Sequence, residues 1–263
     1  MRAVRSLAFA LLCALFVSPP VGAIEDRAYV APPLMATLSL IASPPAPGTP
    51  AAERDLAGVL EAERARTPAG AAHVVKDAEP TFARFVGDLG WPAEKMPITS
   101  RLYANLLKTQ GAISGPAKDC FLAPRPFVVD ARVHPVAEIK TGSENTTKAP
   151  PMALPRGAPS PCRAAPEAPA AYSYSYPSGH AALGALAAIV LSRMVPEQRE
   201  ALFARGWDYG WNRVVAGVHF PSDIEASRLI ATLIARELDK DPRFVADFAA
   251  AKAELRAGLG LSP

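Results

Sequence analysis

The stretch YPSGHAALGALAAIVLSRM, residues 176–194, decides the fold. Its part from 181 to 194 is almost wholly apolar and rich in alanine and leucine, which have high helix propensity. A helix that is apolar on all sides is buried in a core, and this run is too short to cross a bilayer. The stretch therefore predicts a core helix over residues 181–194.

The residues just before this helix predict an anion site. Pro177 suits a helix start, and Gly179 lets a ligand approach the backbone closely. The amides of Ser178, Gly179 and His180 would then face an anion at the positive end of the helix. His180 is placed to share a proton with that anion. An ordinary first turn with a surface histidine fits the same residues.

A second block, downstream, contains Asn212, Arg213, His219 and Asp223. Pro221 predicts a helix start, with His219 just before the helix and Asp223 in its first turn. Four positions separate the two, which makes a carboxylate–imidazole hydrogen bond feasible. That bond would fix the tautomer and leave the other ring nitrogen as a nucleophile. A capped helix with a chance histidine is the alternative.

Upstream, Lys118 and Arg125 lie seven positions apart. Pro124 forces a turn between them that would bring Arg125 back toward Lys118. Two converging cations suit a phosphate, which an arginine binds through its planar fork and a lysine as a point charge. Two solvated surface cations would give the same spacing.

Apolar periodicity, caps and breakers predict further helices, and no alternating strand pattern is present. These helices cover residues 51–66, 81–89, 100–111 from Ser100 to Gly111, a short piece over about 114–122, and a last helix that begins at Asp241-Pro242.

Residues 142–171 contain seven prolines among alanine, serine and glycine. This composition predicts a long loop, extended where it is ordered. The loop lies between two of the chemically interesting blocks, so we interpret it as an insertion within one domain. A disulfide between Cys120 and Cys162 would close a loop across it, and two free buried thiols are the alternative.

The N-terminus predicts export. Arg2 and Arg5 precede an apolar run over residues 7–17, and Val21-Gly22-Ala23 resembles a cleavage site, so residues 1–23 are predicted to be a signal peptide. The rest, 24–263, is predicted to be a single domain without a membrane span. Lys and Arg number 28 against 25 Asp and Glu, which is too balanced for a dedicated nucleic-acid-binding protein.

Taken together, the three blocks resemble a known superfamily. The pattern K-x6-R-P, then P-S-G-H, then R-x5-H-x3-D is similar to the signature of the type 2 phosphatidic acid phosphatases and vanadium haloperoxidases. Within it, the predicted signal peptide, the length and the YSYPSGH stretch resemble the bacterial class A non-specific acid phosphatases. Asn212 departs from the pattern, because the family usually has serine there. The resemblance implies an all-α helical bundle with the active site at one end.

The resemblance also implies a role for each matched residue. His219 would be the nucleophile and would carry a phosphohistidine, Asp223 would orient it, and His180 would be the general acid and base. The phosphate oxygens would be held by Lys118, Arg125, Ser178, Gly179 and Arg213. No metal or other cofactor is implied, because cations and a helix N-terminus suffice for phosphoryl transfer.

The expected substrate is a small-molecule phosphomonoester, the expected location is the periplasm or the medium, and the resemblance favours a homodimer. Three other interpretations stay open. The first is a vanadium haloperoxidase with vanadate on His219, and the second is a metal site built from His180, His219 and Asp223. The third is a catalytically inactive exported protein that binds phosphate.

Overall fold

A computed structural model describes residues 24–139 and 174–263. Within these two ranges every regular element is helical and no strand occurs, which confirms the predicted all-α fold. The α-helices of the described ranges are α1 (Leu34–Leu38), α2 (Pro50–Ala65), α3 (Pro68–Lys76), α4 (Phe82–Gly87), α5 (Pro97–Phe121), α6 (Pro126–Val129), α7 (Gly179–Met194), α8 (Arg199–Val215), α9 (Pro221–Leu238) and α10 (Pro242–Gly258).

Helix α7 is the centre of the bundle, as its composition predicts. It packs against α8, α9 and α5, and most of its side chains are buried. Small residues let α8 come very close: a Cβ atom at Gly206 would lie 2.7 Å from the carbonyl oxygen of Gly184 and 2.8 Å from Cβ of Ala188. This contact leaves no room for a larger side chain, so it fixes how the two helices pass each other.

Caps and prolines begin the outer helices where the sequence predicts. Helices α2 and α4 confirm the predicted segments 51–66 and 81–89, and Thr49 and Thr81 accept hydrogen bonds from the first turns. Asp241 caps α10 through the N–H of Arg243, at 3.0 Å. Pro221 is the first residue of α9, which places His219 just before that helix.

The two helices predicted over 100–111 and 114–122 are wrong as separate elements. They form one helix, α5, which begins at Pro97 and contains Gly111 and Pro116 in its interior. An interior glycine destabilises a helix by about 1 kcal/mol and an interior proline by about 3 kcal/mol, and one face of α5 is buried along its whole length. Tertiary packing therefore outweighs both local breakers. The helix ends with Leu122 in the left-handed region, at φ 47°.

Some predictions fall on residues outside the described ranges. These are the signal peptide over 1–23, the Pro-rich loop over 142–171 and Cys162, so the Cys120–Cys162 bridge stays a prediction. Within the described part of the chain, no helix combines the length and the apolar character that a membrane span requires.

Candidate active site

The start of α9 holds His219 against Asp223. The carboxylate Oδ2 of Asp223 lies 3.1 Å from Nδ1 of His219 and also accepts the N–H of Phe220 at 2.9 Å. Both site residues are buried. Because a carboxylate accepts hydrogen bonds, Nδ1 carries the hydrogen and Nε2 keeps its lone pair. Burial and the charge of Arg125 lower the pKa of His219 well below its ordinary value, so the ring is neutral at neutral pH.

Ser175 also contacts this pair, and sequence reasoning did not identify it. Its hydroxyl donates to Oδ2 of Asp223, and its Oγ lies 3.5 Å from Nδ1 of His219. Its backbone N–H donates to Ala123 at 2.8 Å, which anchors the segment beside the end of α5. The only sequence signal is its place two residues before Pro177.

Lys118 and Arg125 converge on this site, as the turn at Pro124 predicts. Nη1 of Arg125 lies 3.2 Å from Nε2 of His219 and donates to the carbonyl of Val218 at 2.7 Å. Nζ of Lys118 donates to the carbonyls of Tyr174 and Ser175, the latter at 3.2 Å. Burial and the nearby charge of Arg125 lower the pKa of Lys118 well below its ordinary value.

Arg213 is the third cation, in the last turn of α8. Its side chain is buried, and its Nε and Nη1 atoms find no hydrogen-bond partner among the described residues. Burial lowers its pKa to about 10, which leaves it charged at neutral pH. A buried guanidinium with unused donors is costly unless an anion binds to it. An anionic ligand at Arg213 would satisfy these donors and offset the charge.

His180 lies at the second position of α7, partly buried. Its Nε2 lies 3.0 Å from the carbonyl oxygen of Ala78. A carbonyl only accepts, so Nε2 carries the hydrogen and Nδ1 is the nitrogen that can take up or release a proton. Burial, and then the charges of Arg213, Lys118 and Arg125, lower the pKa of His180 to about 3.

Ser178 and Gly179 form the start of α7. Two details differ from the expectation that Pro177 begins the helix and that the Ser178 amide faces an anion. Ser178, rather than Pro177, adjoins the helix as its N-cap, and its Oγ accepts the N–H of Ala181 at 3.4 Å. The N–H of Ser178 points away from any anion, because it donates to Oγ of Ser227 at 2.8 Å. The Ser178 hydroxyl and the amides of Gly179 and His180 are what this turn can offer a ligand.

The expected site residues thus form one cluster at the N-terminal end of α7. Asp223 and Arg125 contact His219, and the charges of Lys118, Arg125 and Arg213 act on His180. The ligand atoms of His180, His219 and Asp223 do not gather closely enough for one ion; within the described ranges only His73, Asp77 and Asp88 do so. The two aspartates there already pair with Arg84 and Arg205.

Comparison with known proteins identifies a family and several relatives. The family model of the PAP2 superfamily matches residues 100–240. The non-specific acid phosphatase of Salmonella typhi is 31% identical over 160 residues, 60% of this chain and 53% of that protein. The non-specific acid phosphatases of Salmonella typhimurium and Providencia stuartii are 42% and 40% identical over 81 and 80 residues. These two alignments cover 31% and 30% of this chain and 32% of each relative, so the chain spans at most about half the length of these curated relatives.

Replacing Arg213 tests whether its guanidinium is a ligand-binding group. In phosphate-free buffer, Arg213→Met should leave the free energy of unfolding unchanged or raise it by up to about 3 kcal/mol, because an uncompensated buried charge is removed. Orthophosphate should stabilise the wild type and leave the variant unaffected. Denaturant unfolding with and without phosphate measures both effects.

Arg205→Met is the matched control. Arg205 is buried like Arg213 but pairs with both carboxylate oxygens of Asp77, at 2.7 and 2.9 Å. Its loss should destabilise the protein by about 3–5 kcal/mol, because a buried carboxylate loses the arginine that pairs with both of its oxygens. Equal destabilisation by both variants would show that Arg213 has only a structural role.

Proposed function

We propose a function from one premise: the chain belongs to the PAP2 superfamily, whose model matches more than half of its residues. The protein is a phosphomonoesterase that works without a metal and forms a phosphohistidine on His219. His180 is the general acid and then the general base. Acid phosphatase is the activity that the names of the matched relatives give to those proteins.

The observation that carries this proposal is the buried positive charge around a nucleophilic nitrogen. Nε2 of His219 keeps its lone pair and faces Arg125, while Arg213 has unused donors in the same cluster. Phosphoryl transfer needs mainly alignment and neutralisation of the three equatorial oxygens. Lys118, Arg125 and Arg213 supply that charge, together with the Ser178 hydroxyl and the Gly179 amide.

Two displacements at phosphorus complete the reaction. Nε2 of His219 attacks phosphorus as the ester P–O bond breaks, and Nδ1 of His180 gives its proton to the leaving oxygen. Asp223 stabilises the charge that develops on the His219 ring. Water then attacks the phosphohistidine, and His180 takes a proton from that water and passes it to the departing orthophosphate. The P–N bond breaks in this step, so His219 is neutral again.

The charge state of the free site indicates where the first proton comes from. With its pKa near 3, His180 is unprotonated in the ligand-free protein at neutral pH. A phosphomonoester monoanion brings one proton into the site, and its negative charge offsets the three cations that oppose a charged ring. The substrate therefore supplies the proton that His180 returns to the leaving group.

Two other functions use the same residues. A vanadium haloperoxidase would hold vanadate on His219, and an inactive relative would bind phosphate without turning over. The matched relatives named as acid phosphatases favour hydrolysis. Export through a signal peptide over 1–23, the Cys120–Cys162 disulfide, a location in the periplasm or medium, and a homodimer complete the proposal.

A chelator-treated assay tests the proposal. Hydrolysis of a nitrophenyl phosphate should be unchanged after EDTA and dialysis and should be blocked by orthovanadate, which mimics the five-coordinate transition state at His219. Loss of turnover on chelation that a divalent metal restores would overturn the metal-free mechanism. Halide oxidation on addition of vanadate and peroxide would favour the haloperoxidase. Phosphate binding without any turnover would favour the inactive protein.

The pH profile tests the source of the proton. Because the reactive species carries the proton of the substrate, kcat/KM should fall about tenfold per pH unit above the second pKa of the ester, at about 6. On the acid side the rate should persist well below the ordinary histidine pKa of about 6.5, since His219 stays neutral there. A kcat/KM that keeps rising above about pH 8 would contradict this assignment.

A further inference from the structure

The carboxylate of Asp77 lies outside the phosphate-binding cluster, yet it is fully buried and saturated with donors. Arg205 donates to both of its oxygens, at 2.7 and 2.9 Å. Nε of Arg84 donates at 2.6 Å, and Nδ2 of Asn212 donates at 2.7 Å. Arg84 also pairs with both oxygens of Asp88, at 2.9 Å each.

These bonds attach the turn after α3 to one face of α8. Arg205, Tyr209 and Asn212 are spaced by four and three residues, so they project from the same side of that helix. The Tyr209 hydroxyl donates to the carbonyl of Glu79 at 3.1 Å, two residues after Asp77. Three side chains of α8 therefore hold residues 77–79 in place.

The held turn presents its middle carbonyl to the active site. Ala78, between the two anchored residues, accepts the hydrogen on Nε2 of His180 at 3.0 Å. The rings of His180 and Tyr209 lie 5.9 Å apart at 32°. The position of one backbone oxygen thus determines which nitrogen of His180 carries the hydrogen and where the other nitrogen points.

We propose that Asp77 is a positioning residue for His180: anchored by Arg205 and Asn212, it holds the Ala78 carbonyl that fixes the tautomer and orientation of the general acid. This role rests on the proposed function. A buried ionic cluster of this kind is weak evidence for stability, and its best-attested use is to specify one arrangement.

Charges from several elements act on His180, and the Ala78 carbonyl opposes them. Arg213 on α8, Lys118 on α5 and Arg125 at the start of α6 all lower the pKa of the ring, whereas the hydrogen bond to Ala78 raises it. The charged or titratable side chains in contact with Asp77 itself are Arg84, Arg205 and His73. Moving the carbonyl would destabilise the protonated ring, which lowers its pKa further, and would free the neutral ring to change tautomer.

Two variants and a control test the proposal. Asp77→Asn keeps the shape of the side chain and removes its charge, and Asn212→Ser removes one donor with a smaller disturbance. Asp241→Asn is the matched control, because Asp241 is also a buried aspartate but caps α10 through the N–H of Arg243 and accepts the N–H of Val30, away from the active site.

The first readout is the dependence of the rate on the leaving group. A misplaced acid harms a poor leaving group most, so Asp77→Asn should lower kcat/KM for an alkyl phosphate about tenfold more than for a nitrophenyl phosphate. Asn212→Ser should change the ratio in the same direction by less, and the basic limb of kcat should move to lower pH in both. Asp241→Asn should change kcat/KM for the two substrates by the same factor. If Asp77→Asn and Asn212→Ser each lowered kcat/KM for the alkyl and the nitrophenyl phosphate by the same factor, the proposal would be overturned.

The second readout does not depend on turnover. Long-range ¹H–¹⁵N correlation of the folded wild type, with the ring assigned by His180→Gln, should show the hydrogen on Nε2, and Asn212→Ser should mix the tautomers. An unchanged tautomer in Asn212→Ser and Asp77→Asn would overturn the positioning role. A wild type that hydrolyses no monoester would contradict the proposed function. The comparison of the His180 tautomer between the wild type and the variants would still test the role of Asp77. If Asp77→Asn does not fold, Asn212→Ser decides both readouts.

Discussion

The gathering of three positively charged side chains around two histidines is the constraint on which the site depends. Lys118 near the end of α5, Arg125 just before α6 and Arg213 in the last turn of α8 converge near the N-terminus of α7, itself the positive end of a helix dipole. Their mutual repulsion opposes this arrangement, so other contacts must hold it. The close backbone contact of Gly184 with Gly206 supplies one of them, because it fixes α8 and its last-turn arginine against α7.

In the proposed mechanism, two buried carboxylates orient the two histidines in different ways. Asp223 contacts His219 directly, holds the hydrogen on Nδ1 and leaves Nε2 free to react. Asp77 contacts no reacting group, yet it ties the turn that carries the Ala78 carbonyl to α8. A site that needs one neutral nucleophile and one proton donor requires each ring to hold its hydrogen on a defined nitrogen.

The parts of the fold that depend on local chemistry could be predicted from the sequence. Pro221 and Asp241 mark helix starts through their own dihedral and hydrogen-bonding preferences, and the apolar run after His180 indicates a buried helix. The continuity of α5 through Pro116 could not be predicted, because burial of one face outweighs the local breakers. The pairing of Asp77 with Arg205 joins residues 128 apart and leaves no local signal. Asn212, which stands where the family usually has serine, contributes an amide donor to Asp77.

The central claim is that the cation cluster binds a phosphoryl group for transfer to Nε2 of His219. Rapid quenching without acid during turnover of a labelled phosphomonoester, followed by peptide mapping, tests it most directly. We expect the label on His219, more of it in His180→Ala because dephosphorylation lacks its base, and none in His219→Ala. Label retained on His180 in the His219→Ala variant would reverse the assignment of nucleophile and acid, and turnover without any labelled histidine would refute the covalent mechanism.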